Sequence, residues 1–496
     1  MDRDINIGRV RTRAEPWDIV VIGGGATGVG CTLDAASRGY AVLLVEQHDL
    51  GKGTSSRSTK LIHGGVRYLR QGNISLVREA LHERALLLRN APHVVHTMEF
   101  VVPCYGFFQK IFYGLGLKAY DLLAGEKRIG RSRIMSRQET IERLPTIKQA
   151  GLSGGVLYHD GQFDDTRLLI DMAVTADAYG ACLLNYARVD SFIFDRDKVA
   201  GVNFTDQVSG ESLSVKGLAV INATGVFCDD IRRLSDLDAR ATTTFAQGSH
   251  IVLDRKFLPS DAAVMIPKTS DGRVLFCIPW HGHVLVGTTD TLVDKAVLEP
   301  HALDAEIDFI LATAGEYLTH RPTRDDILSA FAGIRPLVNR VRTTNTASLS
   351  RGHEMFVDGH GLVTITGGKW TTYRRMAEEA VNKAIDVGGM ESRKCTTEQL
   401  TIPPPAPASG DLLHPDLPYT QGDIVRAVRV EMAQTVEDVL ARRTRALFLN
   451  AAAAIEIAPL TAEIMAAELG KDTIWYGEQV QSFTDLAYGY LLKGEV

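Results

Sequence analysis

The 496-residue sequence has few of the features that mark secreted, membrane-spanning or nucleic-acid-binding proteins. Its six cysteines lie far apart without a C-x-x-C pair, so neither a disulfide framework nor a zinc site is predicted. No apolar run approaches the roughly 18 residues of a transmembrane helix. The first residues include arginines but no apolar core, so no secretory signal is predicted. Lysine and arginine total 54 against 60 acidic residues, and this net charge of −6 argues against nucleic acid as a partner.

The length of the chain accommodates about three domains. Residues 1–16 are polar and predict a mobile N-terminal arm in front of a globular region, 17–398. The prolines within residues 399–410 are typical of an extended linker. Residues 411–496 have apolar side chains at helical spacing and predict a small C-terminal α-helical domain.

A strand, a glycine turn and a helix follow one another at the start of the globular region. The β-branched run Ile19–Ile22 predicts a buried strand, and Ala26–Arg38 predicts a helix that ends before Gly39. Ala41–Val45 predicts a second buried strand. This order is typical of a βαβ unit in a parallel sheet.

The turn between the first strand and the helix has the pattern G-x-G-x-x-G, with glycine at 23, 25 and 28. Glycine at these positions allows a pyrophosphate to approach the amides of the helix N-terminus. Glu46 ends the second strand, where its carboxylate can accept hydrogen bonds from ribose hydroxyls. An acid there argues against the 2′-phosphate of NADP, and the pattern alone leaves NAD and FAD open.

The segment after the second strand is rich in hydroxyl groups. Thr54–Thr59 includes five serine or threonine side chains that can donate hydrogen bonds to a pyrophosphate. Gly64 and Gly65, which follow His63, let the backbone approach a planar ring. The alternative is an ordinary polar surface loop.

Two further strands, Leu218–Ile221 and Leu362–Ile365, end in glycine-containing turns. They predict an α/β fold (α+β overall) in which a Rossmann-like domain is assembled from discontinuous segments beside a β-rich substrate domain. The predicted nucleotide-binding segments are about 17–89, 151–245 and 330–398, and the predicted substrate-domain segments are about 90–150 and 246–329.

Six segments, in order along the chain, resemble motifs of the FAD-dependent glycerol-3-phosphate dehydrogenases, which belong to the D-amino-acid-oxidase-like flavoprotein superfamily. The segments are Thr54–Leu69, Asn222–Gly225, Gly248–Val252, Gly287–Asp290, Gly333–Leu337 and Gly367–Arg374. Val428–Thr444 resembles the C-terminal helical domain of that family. The resemblance therefore runs from about residue 17 to the C-terminus.

The resemblance implies FAD as the cofactor. The helix that begins near Trp370 would direct its positive end toward the flavin and stabilise the anionic reduced form. The implied cofactor contacts are Gly23, Gly25, Ala26, Thr27, Gly28, Glu46, Thr54, Ser55, Ser56, Ser58, Thr59, Lys60, His63, Gly64, Gly65, Val189, Ala223, Gly225, Gly368, Lys369, Thr371 and Thr372.

The resemblance also implies glycerol 3-phosphate as the substrate. Arg335 and Arg351 are the positions it assigns to the phosphate, and a planar guanidinium suits this role because it donates two charge-assisted hydrogen bonds. The other implied substrate contacts are Arg67, Tyr68, Thr289 and Lys369. The candidate catalytic residues are His250, His63 and Lys369, and the sequence does not decide which imidazole accepts the hydroxyl proton.

The implied activity is oxidation of the C2 hydroxyl to dihydroxyacetone phosphate in glycerol catabolism, with electrons passed from FAD to a quinone. An oxidase that reduces O₂ is one alternative, and a non-catalytic or RNA-modifying flavoprotein is another. The resemblance implies a cytoplasmic protein bound peripherally to the inner face of the cytoplasmic membrane, and it leaves a homodimer open. No calcium-binding EF-hand loop is present in the sequence, so no metal is predicted.

Residues 106–137 combine seven basic residues with an apolar stripe at roughly helical spacing. The stripe consists of Phe108, Ile111, Phe112, Leu115 and Leu122. One hypothesis is a helix that lies in the headgroup region of an anionic membrane. The alternative is the core face of a substrate-domain helix.

Overall fold

Two large β-sheets and the helices around them make up residues 1–65, 73–269, 272–338 and 352–492, which are the residues that this computed structural model describes. The strands are β1 Trp17–Ile22, β2 Val42–Val45, β3 Leu61–Ile62, β4 Val95–Cys104, β5 Arg133–Met135, β6 Gly154–Phe163, β7 Cys182–Leu184, β8 Ala187–Asp195, β9 Lys198–Asp206, β10 Ser212–Asn222, β11 Thr243–Asp254, β12 Ala263–Ile266, β13 Leu275–Trp280, β14 His283–Gly287, β15 Thr291–Val293, β16 Ile327–Val338, β17 His353–Val357, β18 Val363–Gly367, β19 Leu412–His414 and β20 Leu417–Thr420. The helices are α1 Arg3–Thr12, α2 Ala26–Ser37, α3 Ile74–Asn90, α4 Phe107–Ala124, α5 Arg137–Arg143, α6 Asp165–Ala178, α7 Cys228–Ser235, α8 Asp304–Tyr317, α9 Tyr373–Gly388, α10 Gln421–Arg429, α11 Ala446–Leu449, α12 Ala451–Leu469 and α13 Thr473–Tyr488.

The first sheet has the strand order β17-β18-β10-β1-β2-β7, and β9 and β8 extend it antiparallel from β10. Strands β18, β10, β1, β2 and β7 run parallel. The first four contain the apolar runs that predicted buried strands, whereas β7 was not predicted. Ile22, at the end of β1, pairs with Asn222 and Val45 on its two neighbours. The turns after these strands therefore meet at one edge of the sheet.

The second sheet has the strand order β15-β11-β14-β13-β12-β4-β6-β3, with β16 paired to β11 and β5 paired to β6. In the long antiparallel pair of β11 and β16, Ala246 faces Arg335 and Gly248 faces Gly333. Strands β6 and β16 belong to this sheet, although the sequence predicted that residues 151–163 and 330–338 lie in the nucleotide-binding domain. The difference arises because both strands are long and pair antiparallel with β4 and β11, which the sequence could not indicate.

The prediction of a mobile arm at residues 1–16 is wrong, because Arg3–Thr12 is a helix that packs on the first sheet. The buried guanidinium of Arg3 forms a 2.5 Å ion pair with Asp206 and donates a hydrogen bond to the carbonyl of Asn185. Ile7 and Val10 are buried on the same side of the helix. The local sequence looks disordered because the stabilising partners are distant in the chain.

The C-terminal helices pack on β16 and on the segment that follows β2. The Phe448 ring lies 4.8 Å from that of Phe331, and Ser329 donates to the carbonyl of Leu447. The carboxylate of Asp49 is buried between the guanidinium groups of Arg442 and Arg443, at 2.6 and 2.7 Å. The predicted fold class, with a Rossmann-like sheet, a β-rich second sheet and a C-terminal helical domain, is confirmed.

Helix α4 exposes the apolar stripe of residues 106–137. Phe108 is 85% exposed and Leu122 is 80% exposed, and Ile111, Phe112 and Leu115 are exposed as well. The stripe is therefore not the core face of the helix, which Leu117 and Tyr120 form instead. Within the described ranges, none of the helices is long and apolar enough to cross a bilayer.

We expect Asp49→Asn to lower the thermal unfolding midpoint and to cost about 3–5 kcal/mol, because two buried arginines lose their shared anion. Arg443 and Arg442 hold the pKa of Asp49 well below its usual range despite its burial. The stability that Asp49 contributes is therefore present at neutral pH and is lost as the pH falls below about 4. Asp416→Asn, at an exposed acid of the C-terminal domain that supplies Arg442 and Arg443, is the control. Equal midpoints for the two variants at pH 7 would contradict the assigned role of Asp49.

Candidate active site

A cavity of about 700 Å³ opens where the turns of the first sheet face the second sheet. Its walls include Gly23 and Glu46 from the parallel strands and His250 and Arg335 from the paired strands β11 and β16. Residues from both sheets thus enclose one site that combines backbone turns with charged and imidazole side chains.

The glycine turn after β1 leaves no room for side chains. Gly23 has a φ of +107°, which favours glycine. A Cβ at Gly28 would lie 1.8 Å from the carbonyl oxygen of Gly23, so Gly28 allows the turn to close. Gly25 is the N-cap of α2 and lines the cavity, so the first-turn amides of the helix face the site. This cradle matches the shape that a pyrophosphate requires.

Glu46 lies at the end of β2 and lines the cavity beside this turn. Its carboxylate accepts hydrogen bonds from the amides of Gly24, at 2.6 Å, and His48, at 2.8 Å. Burial raises the pKa of Glu46, and the two amide hydrogen bonds oppose that shift. Each carboxylate oxygen keeps a lone pair, so the group can still accept from ribose hydroxyls as predicted.

The hydroxyl-rich segment after β2 divides between the cavity and the core. Thr54, Ser55, Ser58 and Thr59 line the cavity, and Ser55 accepts a hydrogen bond from the first amide of α2 at 2.9 Å. The predicted contacts Ser56 and Lys60 do not line it. Ser56 donates to the carbonyl of Gly53, and Lys60 forms a 2.6 Å ion pair with the carboxylate of Asp165. Both side chains are therefore used to hold the segment.

Most of the other predicted cofactor residues line the cavity. These are Ala26, Thr27, His63, Gly65, Val189, Ala223, Gly225, Gly368, Lys369 and Thr371. Gly28, Gly64 and Thr372 do not line it: a Cβ at Gly64 would meet the hydroxyl of Tyr120, and Thr372 donates to the carbonyl of Lys369. The predicted substrate residues Arg67, Tyr68 and Arg351 lie outside the described residues.

Arg335 lines the cavity from β16, and its guanidinium lies over the backbone of Gly248. A Cβ at Gly248 would come within 2.3 Å of that guanidinium. Arg335 donates to the carbonyl of Thr289 at 3.2 Å and to the hydroxyl of Thr288 at 3.0 Å. Thr288 lines the cavity, whereas the predicted substrate contact Thr289 is buried behind it. Thr289 therefore orients Arg335 instead of facing the cavity.

His250 and His63 both line the cavity. Burial, with Lys60 and Arg335 nearby, holds the pKa of His250 well below its usual range. Its ring stacks on Phe331 with 5.1 Å between centroids, and its Nε2 lies 3.0 Å from the hydroxyl of Thr59. The His250 imidazole is therefore neutral at neutral pH, which is the form that can accept a proton.

Several cavity residues were not predicted from the sequence. Arg57 is buried, and its guanidinium forms a 2.5 Å ion pair with Glu299. Trp370 donates from its indole nitrogen to the carbonyl of Ser55 at 2.9 Å. An apolar part of the wall consists of Phe100, Tyr158, Met265, Val274 and Phe276. Nothing in the local sequence separates these five apolar residues from core positions, because the pairing of distant strands brings them to the site.

Comparison with known proteins agrees with this architecture. Residues 18–374 match the model of a family described as FAD dependent oxidoreductase. Residues 391–474 match the C-terminal domain of alpha-glycerophosphate oxidase. The human mitochondrial glycerol-3-phosphate dehydrogenase is 37% identical over 97% of this chain and 74% of its own length. The chain belongs to the FAD-dependent glycerol-3-phosphate dehydrogenase and oxidase family.

Other members of this family are also similar. The mitochondrial glycerol-3-phosphate dehydrogenase SDP6 of Arabidopsis thaliana is 45% identical over 79% of the chain, and the chain covers 64% of that relative. The crystal structure of the Bacillus halodurans glycerol-3-phosphate dehydrogenase, complexed with FAD, has a TM-score of 0.79 and 28% identity. The superposition covers 100% of the present chain and 99% of the Bacillus halodurans chain. FAD is therefore the cofactor of the present protein, and its glycine cradle, Glu46 and hydroxyl-rich segment fit this cofactor.

Gly25→Val should yield protein with little or no bound flavin. The added side chain would extend from the N-cap of α2 into the cavity, and its Cβ alone would lie 3.1 Å from the Ser55 hydroxyl. The measurement is the flavin absorbance per protein, with circular dichroism to confirm folding. Gly477→Ala, at an exposed glycine with no atom within 4 Å of its Cβ, is the control. A folded Gly25→Val variant with full flavin content would contradict the cradle.

Proposed function

We propose that this protein oxidises the C2 hydroxyl of sn-glycerol 3-phosphate to dihydroxyacetone phosphate, as part of glycerol catabolism, and passes the electrons to a quinone. The observation that carries the proposal is the position of Arg335. Its guanidinium lines the same cavity as the cofactor cradle and two imidazoles. The names of the similar proteins support the same substrate.

Arg335 is the group that we propose binds the substrate phosphate. The guanidinium lies over the bare backbone of Gly248 and lines the cavity, and the N–H groups along the edge of a guanidinium can donate two charge-assisted hydrogen bonds to a phosphate. Lys369, which also lines the cavity, adds positive charge near the substrate. These charges orient the three-carbon chain and select a phosphorylated substrate over glycerol.

The two imidazoles are the candidates to accept the C2 hydroxyl proton. Bound FAD would supply the two-electron acceptor for the C2 carbon. His250 is fixed by its stacking on Phe331 and by Thr59, and its Nδ1 has no hydrogen-bond partner among the described residues. His63 directly follows β3 and precedes Gly64 and Gly65. The short 3₁₀ turn Trp370–Thr372 precedes α9, and Trp370, Thr371 and Tyr373 line the cavity at this helix N-terminus.

A quinone is the acceptor that the surfaces of the molecule favour. The apolar part of the cavity wall, with Phe100, Tyr158 and Phe276, suits an aromatic ring compound. The exposed apolar face of α4 suits contact with a lipid surface, where quinones dissolve. Tyr120 of α4 donates to the carboxylate of Asp160, a residue that lines the cavity. The helix therefore contacts a residue of the cavity wall.

We propose that α4 docks on the inner face of the cytoplasmic membrane. Lys118 is exposed and lies about one helical turn from Leu115 on one side and from Leu122 on the other. A cation therefore lies within the apolar stripe. Arg128, Arg131 and Arg133 follow the helix and are exposed as well. An apolar face bordered by basic residues matches an anionic lipid surface, at about 1 kcal/mol for each nearby cation.

Anaerobic addition of glycerol 3-phosphate should bleach the flavin absorbance of the purified protein. Arg335→Ala should keep its FAD but lose about a hundredfold or more in kcat/KM, because charge-assisted hydrogen bonds contribute roughly 1.5–3 kcal/mol each. Arg335→Lys should recover only part of this loss, since the ammonium group of lysine supplies the charge but not the two parallel hydrogen bonds of the guanidinium.

A protein whose flavin is not bleached by this substrate would contradict the proposed reaction. Wild-type kinetics of Arg335→Ala would place the phosphate elsewhere. Once reduced, the flavin should be re-oxidised faster by a quinone analogue than by dissolved O₂. The opposite order would identify an oxidase.

Charge reversal beside α4 should release the protein from vesicles that contain phosphatidylglycerol. The variant carries Lys118→Glu, Arg128→Glu and Arg131→Glu, and sedimentation with vesicles measures its binding. Lys216→Glu, Lys394→Glu and Lys471→Glu together change the net charge equally at exposed positions in other parts of the chain. We expect the first variant to lose binding and to keep activity with a soluble dye, while the second binds as the wild type. Equal binding by the two variants would exclude α4 as the docking surface.

A further inference from the structure

Glu306, near the start of α8, is a buried carboxylate that accepts five hydrogen bonds. Its Oε1 accepts from two hydroxyl groups at 2.7 Å each, and its Oε2 accepts from a hydroxyl, a side-chain amide and a backbone amide at 2.6, 2.9 and 3.2 Å. The donors are Thr289, Thr291, Ser249, Gln247 and the amide of Leu303. One carboxylate therefore joins β11, the segment between β14 and β15, and α8.

The charge of Glu306 is maintained by these donors. Burial alone would raise the pKa of Glu306, but the hydrogen bonds from Ser249, Thr291, Gln247 and Thr289 hold it below its usual range. Glu306 does not line the cavity within the part of the chain that the structure describes. It is therefore an anion at neutral pH that can affect the reaction only through the residues it holds.

One of those residues is Thr289, which links Glu306 to the guanidinium of Arg335. The Thr289 hydroxyl donates to Glu306 and accepts from the amide of Ser249 at 2.8 Å, so both of its roles are occupied. The carbonyl of Thr289 accepts from Arg335 at 3.2 Å. A single fixed residue thus connects the buried carboxylate with the proposed phosphate-binding group.

The other anchors of Glu306 fix the backbone beneath the same guanidinium. Gln247 and Ser249 flank Gly248, whose bare Cα lies against Arg335. Any shift of this stretch of β11 would move Gly248 toward or away from the guanidinium. Arg335 also contacts the Thr288 hydroxyl at 3.0 Å and the Asp290 carboxylate at 3.5 Å, and neither group is bonded to Glu306. Two of its other supports, the Thr289 carbonyl and Gly248, depend on Glu306, so a change at this residue should reach the phosphate site.

We propose that Glu306 is a positioning residue that holds Arg335 in the orientation required to bind the phosphate of the substrate. The proposal rests on the proposed function, in which Arg335 binds that phosphate. It assigns to Glu306 a role in substrate affinity and not in the chemistry at C2.

Glutamine at position 306 provides a selective test because it keeps the size of the side chain but replaces one of the two acceptor oxygens with an NH₂ group, which donates. The Leu303 amide can only donate to Oε2, and the Gln247 NH₂ group is oriented by a second hydrogen bond to the carbonyl of His301, so we expect the glutamine oxygen to occupy that position. Its NH₂ group then faces Thr289 and Thr291, whose hydroxyls lose their acceptor. The substitution therefore weakens the network at the end that leads to Arg335.

We expect Glu306→Gln to raise the KM for glycerol 3-phosphate and the inhibition constant of inorganic phosphate by the same factor, about tenfold or more, with a much smaller change in kcat. FAD content should equal that of the wild type. Glu316→Gln, at an exposed acid of the same helix, is the matched control and should change neither constant. If Glu306→Gln does not hold FAD, Thr289→Val tests the same link and should raise both constants.

A double-mutant cycle separates this inference from the proposed function. The variant with both Glu306→Gln and Arg335→Ala should bind inorganic phosphate no more weakly than Arg335→Ala alone, since the two residues act through one group. Additive losses, or unchanged phosphate inhibition in both Glu306→Gln and Thr289→Val, would overturn the role of Glu306. Unchanged phosphate inhibition in Arg335→Ala would instead overturn the phosphate assignment of the proposed function.

Discussion

Buried ion pairs hold the segment between β2 and β3, and the rest of the site depends on them. Asp49, Lys52, Arg57 and Lys60 have ionisable side chains that are mostly inaccessible to water, and a charge in a core is stable only when it is paired. Burial lowers the pKa of Lys60 to about 7, and Asp165 opposes that shift. Their partners come from α6, from the segment before α8 and from the C-terminal helical domain. The partners are Arg442 and Arg443 for Asp49, Glu437 and Glu299 for Lys52, Glu299 and Tyr490 for Arg57, and Asp165 for Lys60.

This paired segment joins the cofactor cradle to the proposed substrate site. Ser55 accepts from the first amide of α2, and Thr54 donates to the carbonyl of Ile334, next to Arg335. The cradle and the strand that carries the guanidinium are therefore fixed by neighbouring side chains. The C-terminal domain contributes to this arrangement through its arginines, although it supplies none of the cavity-lining residues in the described ranges. The C-terminal domain thus stabilises the segment that lines the cavity without contributing to the cavity wall within the described residues.

Predictions that rest on local interactions agree with the structure, and predictions about distant partners fail most often. The strand, turn and helix at residues 17–37 follow from short-range sterics and hydrogen bonding, which the sequence displays directly. The arm at residues 1–16 is predicted wrongly because the carboxylate that pairs with Arg3 belongs to Asp206. Lys60 and Thr289 lie in the expected segments, but their polar groups are used by Asp165 and Glu306.

Contiguous or regularly spaced residues were enough to predict the parallel sheet, the glycine cradle, the family resemblance and the apolar stripe of α4. Three features could be seen only in the folded chain: the stripe faces outward, β6 and β16 join the second sheet, and Glu306 accepts hydrogen bonds from five donors near Arg335. These features depend on which segments pair across long separations in the chain. Such pairing is fixed by the combined burial and hydrogen bonding of the whole fold, which no local pattern records.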